Sequence, residues 1–276
     1  MKAPALVIVA VFGSLLAYAA LDLPPWGDPA APASRHVSPY YIEQALNQTS
    51  VPNLVTAVLA DYRGYDTLFE TIVIFSAGVA CLFLLRLFRR TEPDSRLYRH
   101  LPSGITLRMT KGIAPPPASK EFERIDLKWV PDDLVVKTTS RLIVPFSQLF
   151  ALYVIAHGHH SPGGGFQGGV ILGASIILYA ISTNMRAGLT RVNERQAVIL
   201  CGLGVLIYTG TGVLCMLMGA NYLDYGALAP IFGSDAVTAR SHGILMVEIG
   251  VGITVMAVMV HLYYSLASAG RHDEGL

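Results

Sequence analysis

Residues 243–265 read GILMVEIGVGITVMAVMVHLYYS, twenty-three positions with one formally charged side chain, Glu248. At a rise of ~1.5 Å per residue such a helix is about 35 Å long, enough to cross a hydrocarbon core of roughly 30 Å. Moving towards the N-terminus, comparable apolar runs occupy approximately 197–219, 168–184, 142–158, 68–88 and 4–21. The 276 residues are 53% hydrophobic and only 14% charged, with a mean hydropathy of +0.49, too apolar for a soluble domain of this length. The reading is an all-α integral membrane protein with about six transmembrane helices, two followed by a four-helix bundle.

Basic residues set the expected orientation, because cytoplasmic loops retain Lys and Arg. With the N-terminus inside, 17 of the 20 lie on the cytoplasmic side and only Arg35, Arg63 and Arg240 outside. Both termini are therefore expected in the cytoplasm. The basic stretch between the second and third runs is interspersed with Pro and acidic residues, so topology explains it and no nucleic-acid site is expected. The first run, with Lys2 and the triplet Ala17-Tyr18-Ala19, also has the pattern of a signal peptide; a membrane anchor is the reading adopted. Cys81, Cys201 and Cys215 sit singly within apolar runs, which indicates neither a disulfide framework nor a metal site.

Three units follow: residues 1–88 with two spans and a polar, Pro-rich external loop, a polar connector over 89–133, and a four-span unit over 134–276. Pro115-Pro116-Pro117 cannot continue a helix and favours an extended linker. Between the third and fourth spans stands Gly158-His159-His160-Ser161-Pro162-Gly163-Gly164-Gly165-Phe166-Gln167-Gly168-Gly169. Pro removes a donor and repeated Gly permits positive φ and close backbone approach, so this run is a corner rather than a helix. Non-helical backbone near membrane depth persists only when covered by protein or facing water. The simplest function for it is a compact turn. No Lys-Ser/Thr follows the glycines, which argues against a phosphate loop, and no GxSxG surrounds Ser161, which argues against a hydrolase. His157, His159 and His160 lack a carboxylate or thiol nearby in sequence, so neither metal nor cofactor is expected. Gly169 and Gly173 form a GxxxG step suited to close helix packing.

Leu134 to Ser182, centred on Gly158-His159-x-x-Pro162-Gly163-Gly164-Gly165-Phe166, resembles the B subunit of the Mrp (MnhB-type) multisubunit Na+/H+ antiporter, and the likeness extends to about Leu262. Upstream, Asp61-Tyr62-Arg63-Gly64-Tyr65-Asp66-Thr67-Leu68-Phe69-Glu70 is similar to the C-terminal end of the Mrp A subunit, which stands as a separate small subunit in the Mrp-like modules of membrane-bound hydrogenases. The resemblance implies an accessory subunit in a prokaryotic cytoplasmic membrane, with other subunits of a hetero-oligomeric antiporter as partners, Na+ and H+ as transported ions, and lipid around it. It also implies that His159 is a polar contact in the turn and a candidate residue of the ion pathway.

Two carboxylates stand out. Thr67-Leu68-Phe69-Glu70 has the spacing of a capping box, yet Arg63, Asp66 and Glu70 would share a face if the helix began earlier. The resemblance favours a place for Glu70, with Asp66 and Arg63, on the ion path. Glu248 lies inside an apolar span, where a charge costs ~2.5–3.5 kcal/mol near the bilayer centre, so it must be paired, hydrated or protonated. Ion passage and helix-to-helix hydrogen bonding are both open for it. The family commonly has Asp at this place.

Overall fold

The computed structural model describes residues 2–87, 95–110, 121–124, 134–183 and 185–267. The helices are α1 (Lys2–Ala20), α2 (Ser38–Thr49), α3 (Leu54–Ala57), α4 (Gly64–Leu87), α5 (Leu134–Ala156), α6 (Gly165–Ser182), α7 (Met185–Arg191), α8 (Glu194–Leu217), α9 (Ala229–Phe232) and α10 (Ala236–Ala267). Five contain stretches long and apolar enough to cross a membrane: Gly64–Leu84, Leu134–Ala156, Gly165–Ser182, Glu194–Leu217 and Ala236–Ala267. In α1 the apolar part, Pro4–Ala20, is shorter. At ~1.5 Å per residue it spans about 26 Å, near the lower limit for a crossing.

Helix α10 is the centre of the fold. In its apolar window 67% of positions are buried, against 22% for α5 and 17% for α4. It packs against α6, α8 and α4, while α5 lies mainly on the outer side of α6. The two expected membrane units are thus one body, since α4 from the first lies directly on α10 and α8 of the second. Small residues make this possible: a Cβ on Gly78 of α4 would meet Val258 at 3.0 Å, and one on Gly169 of α6 would meet the Gly252 carbonyl at 2.6 Å. Helix approach through Gly is how membrane helices gain packing without a hydrophobic driving force. One apolar cluster gathers Leu68, Tyr208, Tyr225, Leu228, Ile244, Val247 and Val251, and another Ile176, Met256, Val260 and Tyr264.

Two stretches are more structured than their composition implied. The Pro-rich external segment, Asp22 to Pro52, contains α2 and a single π-helical turn at Ala33–Val37, and α3 with a second such turn at Val58–Tyr62 follows it. In the connector, β1 (Ser95–His100) pairs antiparallel with β2 (Thr106–Thr110) and β3 (Phe122–Arg124), in the order β2-β1-β3. The Pro115–Pro117 run, and with it the extended-linker reading, lies outside the described residues.

Candidate functional site

The Gly-rich corner joins α5 to α6 and ends against Glu248. Gly164 has φ +132°, a conformation open to Gly and strained for other residues, and its amide donates to the Val154 carbonyl at 3.2 Å. That reversal aims the start of α6 at α10. The backbone amide of Gly165, the first residue of α6, donates to Glu248 Oε2. Glu248 is therefore a helix cap supplied by a neighbouring helix: it faces the unpaired amides and the positive end of the α6 dipole. A Cβ on Gly165 would overlap the Glu248 backbone carbonyl, and one on Gly164 would sit 2.7 Å from Glu248 Oε2. The contact then repeats every four residues. Gly165, Gly169 and Gly173 of α6 face Glu248, Gly252 and Met256 of α10, with a Gly173 Cβ 3.3 Å from the Met256 carbonyl. Glu248 is twelve residues from the start of α10, about 18 Å along it. The cap is worth ~2 kcal/mol at most, which offsets much of the cost of a carboxylate at that depth.

The rest of the corner is held from both sides. His159 is buried and its Nε2 lies 2.8 Å from the Ser241 carbonyl, tying the turn to α10. Burial holds its imidazole below the usual range. From the other side, the Asn53 amide group donates to the carbonyls of Gly158 (2.7 Å) and Ser161 (2.8 Å), and its backbone N–H to that of His159 (2.8 Å). Thr56 Oγ1 donates to the Gly158 carbonyl at 2.7 Å. Pro162 and Phe166 are exposed, while Gly163 is pressed on the Val154 carbonyl.

Glu70 is elsewhere, on an outward, exposed face of α4. The capping box does not form there. Helix α4 begins at Gly64, so Thr67 lies within it and donates to the Leu59 carbonyl (2.8 Å). Asp66 accepts from Arg63 Nε at 2.6 Å in an exposed pair. Arg63, Asp66 and Glu70 thus stand apart from Glu248 and His159. The buried Tyr208 hydroxyl donates to the Gly64 carbonyl at 2.8 Å.

One buried ionic contact was not singled out from sequence. Arg240 near the start of α10 donates through Nη1 to both oxygens of Asp61 (2.9 and 3.1 Å), and through Nη2 to Asp224 Oδ1 (2.9 Å). Asp61, in the Val58–Tyr62 turn, is only 5% exposed. Burial pushes its carboxyl above the usual range, with Arg240 opposing. The available signal was Arg240 itself, a cation at the head of an apolar span on the side otherwise nearly free of basic residues. Among the described residues no group of three or more His, Cys, Asp or Glu side chains could hold a metal ion.

A central helix gripped through glycines, a carboxylate capping a neighbouring helix and another facing outward define a polytopic membrane protein. Residues 135–261 match the family described as "Domain related to MnhB subunit of Na+/H+ antiporter", and residues 5–98 match the MbhE family, described as the E subunit of MBH. The chain belongs to the MnhB family of Na+/H+ antiporter B subunits, with an MbhE-like unit before it. It is 31% identical to the B subunit of the Na(+)/H(+) antiporter of Bacillus subtilis (strain 168) over 133 residues, 45% of this chain and 91% of that one. To the A/B subunit of a probable K(+)/H(+) antiporter of Rhizobium meliloti (strain 1021) it is 25% identical over 243 residues, 86% of this chain but 22% of that relative, so it spans about a fifth of that protein's length. Its fold matches the solved Mrp complex from Dietzia sp. DQ12-45-1b with a TM-score of 0.63 and 26% identity, over 99% of this chain and 27% of that one.

Proposed function

We propose that this protein is a non-catalytic subunit of a multisubunit cation/proton antiporter, Na+ being the first candidate cation, and that it works with larger partner subunits. The same chemistry suits an antiporter module attached to a redox complex. One observation carries the reading: Glu70 is exposed on an outward face of α4, nearly two turns into an apolar span. A carboxylate there is costly against lipid, so its natural environment is a partner protein or a wet path between the two. Glu70, with Asp66 and Arg63 at the mouth, forms the ion-handling edge of the chain; His159 belongs to the corner that sets α6 on α10. The names of the relatives, subunits of Na+/H+ and K+/H+ antiporters, support this assignment.

The test is Glu70→Gln in the assembled complex, reconstituted in vesicles. The amide keeps shape and removes the titratable charge, so exchange is expected to fall at least tenfold while assembly is retained. Normal exchange would remove Glu70 from the path. A second reading, a membrane scaffold, is favoured by the bond from Gly165 to Glu248, which gives that carboxylate a structural task. In the same assay Glu248→Gln separates the two: assembly weakened with turnover per complex unchanged assigns Glu248 to the scaffold.

A further inference from the structure

The two family matches fall on separate stretches of this chain, and the Bacillus relative is covered over 91% of its length by 45% of this chain. That relative has no counterpart for most of the remaining residues. Yet here the MbhE-like and MnhB-like stretches meet through two polar patches of opposite character. In the first, the donors come from the MnhB-like side: the Tyr208 hydroxyl to the Gly64 carbonyl (2.8 Å), the Tyr225 hydroxyl to the Ala60 carbonyl (2.9 Å), and the Arg240 guanidinium to the Asp61 carboxylate. In the second, the donors come from the MbhE-like side: Asn53 and Thr56 to the carbonyls of residues 158, 159 and 161. His159 ties the second patch to the α10 backbone at Ser241, next to Arg240, so both patches are fixed on one body.

We propose that this contact is a subunit-recognition interface carried inside one chain, with Arg240 as the pin that docks the MbhE-like unit on the MnhB-like unit. Two patches of opposite donor sense fix orientation as well as affinity, because a reversed or shifted unit would set donor against donor. Tyr208 and Tyr225 are fully buried, so undocking deprives two phenol hydroxyls of their acceptors and leaves Arg240 with Asp224 alone, a penalty that enforces the match. The fork of Arg240 engages both oxygens of Asp61 and also Asp224, which a Lys cannot reproduce. The covalent connector is then not what holds the units together. The inference rests on the family assignment and not on the transport reading.

The experiment uses the full chain in its purified complex, with a protease site placed between Thr110 and Glu121. After cleavage, the two fragments are expected to co-elute in mild detergent. With Arg240→Ala the N-terminal fragment should be depleted at least fivefold, and Arg240→Lys should retain an intermediate share. Separation of the parent fragments, or full co-elution with Arg240→Ala, would overturn the proposal. If Arg240→Ala does not accumulate, Asp61→Asn, Arg240→Gln and their combination are compared by the same readout. Losses in the double variant smaller than the sum of the singles support the pin, since neither Asp61 nor Arg240 then faces the other's neutral replacement as a lone charge; additive losses overturn it. Transport is not measured, so failure here and failure of the antiporter reading are told apart.

Discussion

His159 illustrates how a residue in the corner couples chemistry to stability. Its imidazole is held neutral by burial, outweighing the Ser241 carbonyl, with His160 and His242 nearby as lesser influences. The unfolded chain therefore takes up the proton first as pH falls. The stabilisation from the neutral ring is fully present above about pH 6.5 and is lost as pH drops through that value towards the lower folded pKa. Apparent Tm of the complex should fall between pH 8 and 5.5, and His159→Gln, which keeps a donor for Ser241 without titrating, should flatten that dependence. An unchanged slope in the variant would assign the pH response to other groups.

At the scale of elements, the Gly165-Gly169-Gly173 row is what lets α6 lie on α10. Gly165→Val or Gly164→Val should cost ~3 kcal/mol or more and abolish assembly, because each puts a branched side chain against Glu248. Gly202→Ala in α8 is the control: nothing lies within 4 Å of its added Cβ, so the change should be neutral or gain up to about 1 kcal/mol of helix propensity. Thermal unfolding in detergent measures both. Much of this was legible beforehand, since apolar runs located the long helices and the Pro-Gly run located the corner. What Glu248 bonds to was not legible, because the meeting of positions 165 and 248 depends on how α6 is laid on α10. The same holds for Asp61, Asp224 and Arg240, which lie far apart in sequence. Periodicity reports which face is apolar, not which distant polar group it meets.

For the whole molecule, the expectation from the charge distribution is that the connector sheet lies in the cytoplasm and the corner, Asp61 and Arg240 outside. Ser103→Cys, in the exposed turn between β1 and β2, should be protected from an impermeant thiol reagent in intact cells, and Ser34→Cys should be labelled; the reverse result would invert the topology. The last expectation concerns what the chain can do by itself. A proton path through lipid needs closely spaced titratable groups or water across about 30 Å. The described spans offer Glu70 near one end on an outward face, Glu248 engaged with Gly165, and the buried Tyr208 engaged with the Gly64 carbonyl. His261, thirteen residues beyond Glu248, is about 20 Å further along α10, too far for a direct transfer. The interior between is filled by Val251, Thr254, Val255 and Val258 rather than by relay groups. A continuous route is therefore expected to run along an outer face, where Glu70 stands, and to be completed by partner proteins. Purified chain in liposomes under a pH gradient should show no cation-dependent proton flux, and flux should appear when the partners are added. Exchange by the chain alone would mean that the route is internal and that this packing does not close it.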